Sequence, residues 1–272
     1  MRINQNIMAF NAFRNLTATN DAMGKSLEKL SSGYRINRAS DDAAGLVISQ
    51  GLRAQVSGLK VATRNAQDGI SVTQTAEGAL NEVHSMLNRM RDLAVQAANT
   101  GSTDPNAAAA DQAEIDALSS EITRVSQQTK FGTTTLLDGG FVKEFQVGAN
   151  AGEKITISLG TSLNASALGV SGLGVASGAS ASAAITAIDT AITTISTTRA
   201  SLGAYQNRFE SVINNLQVAT ENLTASESRI RDTDMASEMV DFTKHQILMQ
   251  AGTAMLGQAN QIPQSVLRLI QG

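Results

Sequence analysis

Ile188, Ile195, Leu202, Phe209, Leu216, Leu223 and Ile230 stand seven residues apart without a gap. Ile185, Ile192 and Ile213 occupy the second position of the same repeat. An apolar residue at every seventh place makes a helical seam that packs along another helix. A helix over residues 184–231 is roughly 65–70 Å long at 1.5 Å per residue. A rod of that length cannot cover its own apolar edge, so an element of similar length must lie beside it. The remaining seam positions, Arg199, Gln206, Thr220 and Glu227, are polar, while the adjacent offset supplies Tyr205, Val212 and Ala219. The seam therefore drifts around the rod and meets more than one helix.

A partner stands in the first half. Leu52, Leu59, Ala66, Thr73, Leu80, Leu87 and Ala94 repeat at the same interval, flanked by Val56, Ile70, Val83 and Met90. A shorter stripe follows at Ile115, Leu118, Ile122 and Val125. Long, short, long is the pattern of a mainly α chain, an elongated antiparallel helical bundle or coiled coil. Composition agrees: aromatic residues are 3% of the 272, Trp is absent, and much of the apolar content is Ala. Small side chains suit close helix packing better than a globular core filled with rings.

Other classes lose ground on the same numbers. A net charge of −3 gives no basic footprint for nucleic acid. The absence of Cys removes disulfides and thiolate sites. No run of about 18 apolar residues is present, so no membrane-spanning helix is expected. The opening Met1-Arg2-Ile3-Asn4-Gln5-Asn6 lacks the apolar stretch of a cleaved signal peptide. The default is then the cytosol, and the alternative is export by a route that leaves its cargo uncut.

Taken in order, Ile3, Ile7, Phe10, Phe13 and Leu16, then Met23, Leu27 and Leu30, mark an amphipathic helix. Its polar face holds Asn and Gln rather than the Lys and Arg of a membrane-surface helix, which points to partner helices. Ser31-Ser32-Gly33 ends it, residues 35–40 connect, and Asp41-Asp42 stand where acids favour a helix N-terminus. The next helix covers residues 43–98; Gly45, Gly51, Gly58, Gly69 and Gly78 each weaken it by up to about 1 kcal/mol and call for a packing reason. Asp104 as N-cap and Pro105 open the short helix, which ends near Thr129. A β-hairpin is expected at about 141–160, where Phe145, Val147, Ile155, Ile157 and Leu159 alternate with polar residues. Residues 160–182 read as a Gly-, Ser- and Ala-rich loop or loosely packed tip with little to bury, and Ser180 or Ser182 as the cap of the long helix. A last helix from Met235 carries Leu248, Met255, Ile262 and Leu269 seven apart, and Pro263 should kink it or narrow it locally. Neither end helix has a bundle of its own to join, so other copies of the chain must complete the packing.

Four blocks in order resemble bacterial flagellin. They are the opening residues, Leu30-Ser31-Ser32-Gly33-Tyr34-Arg35-Ile36-Asn37-Arg38-Ala39 with Asp41-Asp42-Ala43-Ala44-Gly45-Leu46, Phe145-Gln146-Val147-Gly148-Ala149-Asn150, and Ala200-Ser201-Leu202-Gly203-Ala204-Tyr205-Gln206-Asn207-Arg208-Phe209. The family commonly has Phe-Asn-Gly after the short helix, where this chain has Phe131-Gly132-Thr133, and the large variable outer domains of long flagellins are missing. The resemblance implies residues 1–42 and 231–272 as an inner layer of terminal helices, and residues 43–230 as an outer helical bundle. It implies a self-assembling, secreted filament subunit for swimming, exported unfolded, with an export chaperone, a filament cap and hook-junction proteins as partners. The alternative is a hook–filament junction protein; those relatives tend to carry Pro after the paired Asp, where this chain has Ala43-Ala44.

On that reading the subunit-packing residues are Ile3, Ile7, Phe10, Leu27, Leu30, Leu248, Met255, Ile262 and Leu269. The bundle core holds Leu52, Leu59, Leu80, Leu87, Ile188, Ile195, Leu202, Phe209, Leu216, Leu223 and Ile230. Residues 89–96 resemble the segment through which many flagellins meet the vertebrate Toll-like receptor for flagellin, making Arg89, Leu93 and Glu114 its candidate contacts. No catalytic, cofactor or metal site is expected. His84 and His245 belong to no His-Glu-x-x-His motif, and Gly-rich 169–178 lacks the Lys-Ser/Thr of a phosphate loop.

Overall fold

The computed structural model describes residues 6–99 and 104–271, with side chains through residue 262 apart from that of Pro105. Among them the order is α1 (Ile7–Ser32), α2 (Ala43–Ala98), α3 (Pro105–Gln128), β1 (Lys130–Phe131), β2 (Thr134–Thr135), β3 (Phe141–Gln146), β4 (Lys154–Leu159), α4 (Gly178–Arg231) and α5 (Met235–Gln271). The mainly helical class with a small hairpin region is as the sequence predicts. Two compact units result: one of residues up to Ala54 and from Asn222 onward, the other Gln55–Glu221. The division falls inside α2 and α4, not at the connectors after Asp42 and before Asp232. Within the first unit Arg53 meets Glu227 at 2.7 Å, whereas the buried apolar positions of α2 begin at Val56.

The Gln55–Glu221 unit holds the main core. From α2 it takes Leu80, Leu87 and Met90, from α3 Ile115 and Ile122, and from α4 Ile188, Ile195, Leu202 and Phe209. Leu59 and Leu216 are buried as well. Leu52, Leu223 and Ile230 depart from the expected core: they lie in the other unit and are only half-buried. α2 is helical from its first residue through all five glycines. Gly69 has the clearest packing reason, since a Cβ there would stand 2.6 Å from Cζ of Phe209. That ring also meets Phe145 edge to face, with centroids 5.8 Å apart and planes at 81°. Gly51 and Gly78 face open space, so no close approach explains them.

Two antiparallel hairpins attach to this core. β1 and β2 are joined by the two-residue turn Gly132-Thr133. β3 and β4 pair from Phe141↔Leu159 to Gln146↔Lys154. Alternation buries Ile155, Ile157 and Leu159 on one face. Asn65 Nδ2 donates to the Gln146 carbonyl at 2.9 Å and ties the hairpin to α2. In the hairpin loop the Glu153 carboxylate accepts from Asn150 N and Nδ2, which holds its pKa below the ordinary value.

The segment after β4 is a loop up to Ser177, but it is part of the core and not the lightly buried stretch expected. Leu163, Ala165, Leu168, Val170 and Val175 are buried. Gln112 clamps the segment, donating to the Leu173 carbonyl and accepting from Val175 N, both at 2.8 Å. Irregularly spaced apolar residues, with no period to betray them, pack as well as a stripe does. The cap of α4 is likewise Ser177, earlier than expected: Ser180 N donates to its hydroxyl, and its own N–H donates to Ser180 Oγ.

Candidate assembly surface

α1 is capped by Asn6, whose side chain accepts from Ala9 N, and closes at Gly33 with φ +74° and its N–H on the Lys29 carbonyl. α5 lies antiparallel to it. Asn6 Nδ2 donates to the Ala259 carbonyl at 2.7 Å, a Cβ on Gly252 would stand 3.2 Å from Leu16 Cδ1, and Lys29 Nζ reaches Glu238 at 3.3 Å. The shielded positions of α1 step through Ala9, Ala12, Leu16, Met23, Ser26 and Leu30; those of α5 step through Phe242, Met249, Gly252, Leu256 and Ala259. Small residues at spacings of three and four let the two backbones approach closely.

Each of these helices has a second, larger apolar stripe that the pair leaves in water. Phe10 is 71% exposed, and Ile7, Phe13 and Leu27 are exposed with it. On α5, Val240, Ile247, Leu248 and Met255 are exposed. A shallow groove of about 420 Å³ runs beside them, lined by Met239, Val240, Thr243, Lys244 and Ile247. Of the residues assigned to subunit packing, the structure thus sets Ile7, Phe10, Leu27, Leu248 and Met255 on the outside. Leu30 and Ile262 are half-shielded, and Ile3 and the side chain of Leu269 lie outside the described residues. The sequence reading merged the two stripes of α1, naming the inner Leu16, Met23 and Leu30 together with the outer Ile7, Phe10, Phe13 and Leu27, and it passed over the small inner residues Ala9, Ala12, Gly252 and Ala259.

Where the two connectors meet, the chain makes a clasp. Arg35 N donates to the Arg231 carbonyl at 2.7 Å and Thr233 N to the Gly33 carbonyl at 2.9 Å, around a Tyr34–Asp232 bridge. The Tyr34 ring lies beneath the Arg231 guanidinium at 4.6 Å and near that of Arg53 at 5.9 Å. Asp41 and Asp42 part company here. Asp42 Oδ1 caps α2 by accepting from Gly45 N at 2.8 Å. Asp41 Oδ2 accepts from Arg38 N and Asn37 N, and the Arg38 bond foremost holds its pKa below the ordinary value.

On α2 and α3, Arg89 and Glu114 form a two-pronged pair at 2.7 and 3.0 Å, both side chains half in solvent, and the bond from Arg89 lowers the Glu114 pKa. Leu93 corrects the reading that grouped it with them. It is 2% exposed and belongs to the core, so the folded subunit does not present it to a partner. Among the described residues no three His, Asp or Glu side chains converge as a metal site, and no helix is long and apolar enough to cross a membrane.

Comparison with known proteins meets this geometry. Residues 3–141 match the bacterial flagellin N-terminal helical region and residues 185–270 the bacterial flagellin C-terminal helical region. The chain is 48% identical to flagellin of Bacillus subtilis and 51% identical to flagellin of Halalkalibacterium halodurans, covering 100% of both partners in each case. It is 46% identical, again over 100% of each, to the flagellar filament 33 kDa core protein of Treponema phagedenis. The crystal structure of Bacillus cereus flagellin is similar with a TM-score of 0.51 at 31% identity, over 56% of this chain and 88% of that one. Paired end helices with their larger apolar stripes uncovered, on a chain that matches at both ends and over its full length, place it in the bacterial flagellin family, as a structural subunit of the extracellular flagellar filament.

Proposed function

We propose that α1 and α5 form the inner layer of the filament and that residues 43–230 form the outer one. The observation that carries this is the exposed apolar stripe on each terminal helix. Burying one such side chain contributes about 1.5–3 kcal/mol, and a helical polymer repeats the contact at every subunit. The Asn- and Gln-bearing polar faces of the same helices suit a water-filled lumen through which new subunits travel. The likeness to flagellins adds export in an unfolded state, a soluble chaperone that covers α5 beforehand, and a filament cap and hook-junction proteins as partners.

Leu248→Asp tests the inner layer. Leu248 is exposed in the free subunit, so the change costs little folding energy, yet it places an unpaired charge in a seam between subunits. The variant stays soluble, keeps its helical circular dichroism and does not elongate seeds of filament fragments, as read by sedimentation and electron microscopy. Normal elongation would overturn the assignment.

Receptor recognition forms a separate reading, carried by the exposed Arg89–Glu114 pair and the likeness of residues 89–96. Leu93 has no part in it beyond holding the helix to its core. Arg89→Ala lowers signalling by free subunits in a receptor reporter assay; undiminished signalling by the folded variant ends the reading.

A further inference from the structure

With no Cys in the chain, its side-chain sulfur is all thioether, in nine Met residues. Their placement is uneven. Met90 is fully buried in the core and Met86 packs against it. On the terminal helices, by contrast, Met8 is 63%, Met235 46%, Met239 50% and Met255 64% exposed. Met255 shares the exposed face of α5 with Leu248, and Met239 lines the groove beside Val240 and Ile247; Met8 lies in the first turn of α1 and Met235 opens α5. Two of these exposed methionines thus sit among apolar side chains that assembly is to cover, and the other two stand exposed on the same terminal helices.

We propose that Met8, Met235, Met239 and Met255 are sulfoxidation sites through which peroxide blocks assembly of the free subunit. The proposal rests on the inner-layer reading of α1 and α5. In the step, a sulfur lone pair attacks one oxygen of hydrogen peroxide; the S–O bond forms, the O–O bond breaks, and the departing hydroxide takes the remaining proton to leave as water. Sulfur is oxidised by two electrons and the peroxide reduced by two, with no other reactant. The product is a strong acceptor with no donor of its own on an apolar face. It is well solvated in the free subunit, so folding is undisturbed. In a subunit seam it must be buried unpaired, and one such group raises the critical concentration about tenfold or more. Assembled subunits cover the same sulfurs, so a finished filament resists an oxidant that disables its monomer.

The test uses the full chain, treated with hydrogen peroxide as monomer and as filament. Peptide mass spectrometry of the monomer finds one added oxygen at each of the four sites and none at Met90, while the filament is modified at these sites at least about tenfold more slowly. Oxidised monomer keeps its circular dichroism and fails to elongate seeds; treatment with the two methionine sulfoxide reductases restores elongation. The variant Met8→Leu, Met235→Leu, Met239→Leu, Met255→Leu elongates with or without peroxide treatment. Normal elongation by fully oxidised monomer, failure of the reductases to restore it, or a peroxide-sensitive Leu variant would each overturn the proposal. Leu248→Asp, which contains no altered sulfur, reports on the inner-layer reading separately, so the two failures are distinguishable.

Discussion

Gly69 and Gly78 are the same residue type in one helix, and their surroundings give opposite consequences. Replacing Gly by Ala inside a helix gains about 1 kcal/mol from backbone entropy. At Gly78 the new methyl enters open space, so Gly78→Ala keeps the gain. At Gly69 it meets Cζ of Phe209 at 2.6 Å. That ring is fully buried and held edge to face against Phe145, so it cannot swing away. Overpacking of this kind costs about 1–3 kcal/mol and outweighs the propensity gain. Urea unfolding of the full chain therefore finds Gly69→Ala less stable than the parent and Gly78→Ala at least as stable. Equal midpoints for the two variants would show that the ring yields.

At the scale of the elements, the regular periods were legible and the irregular packing was not. A repeat of seven from Ile188 to Leu216 marks residues that the fold buries, because a straight helix presents one face to one core for many turns. Leu223 and Ile230 continue the same arithmetic without the same burial. Periodicity records which side of a helix is apolar, and it does not record where the neighbour stops. The loop after β4 shows the converse: Leu163, Leu168, Val170 and Val175 obey no period and are buried nonetheless. The terminal helices combine both lessons. Their large side chains announced a single apolar stripe on each helix, and the Ala, Gly and Ser positions that split it in two were hidden by the smallness that lets α1 and α5 lie close. Leu93 was misread because a motif names the residues of a segment without saying which of them point inward.

For the whole molecule, stability is divided unevenly. α1 and α5 contain 26 and 37 residues, and ordering each residue costs roughly 1–2 kcal/mol in backbone entropy. Against that, Ser26 and Ala259, at 5% and 7% exposed, are the buried residues of this pair among those described. The Gln55–Glu221 unit buries Leu, Ile and Phe instead. Hydrogen exchange of the free subunit is expected to be fast along α1 and α5 and slow across residues 80–94 and 188–209; in the filament the terminal helices join the slow class. Equal protection of α1 and α4 in a verified monomer would contradict this division of stability.

The pairing of α1 with α5 also sets an order of events. Asn6 and Ala259 are 253 residues apart in the chain. Closing so long a loop is not thermodynamically severe, since each doubling of its length adds only about 0.6 kcal/mol. The constraint is one of timing. A chain that emerges from its N-terminus completes α1 long before α5 exists, and through that interval the inner stripe of α1 goes without its intramolecular partner. A product cut short anywhere ahead of α5 keeps that deficit permanently. The first helix thus waits on the last, and their contact certifies that everything between them has been made.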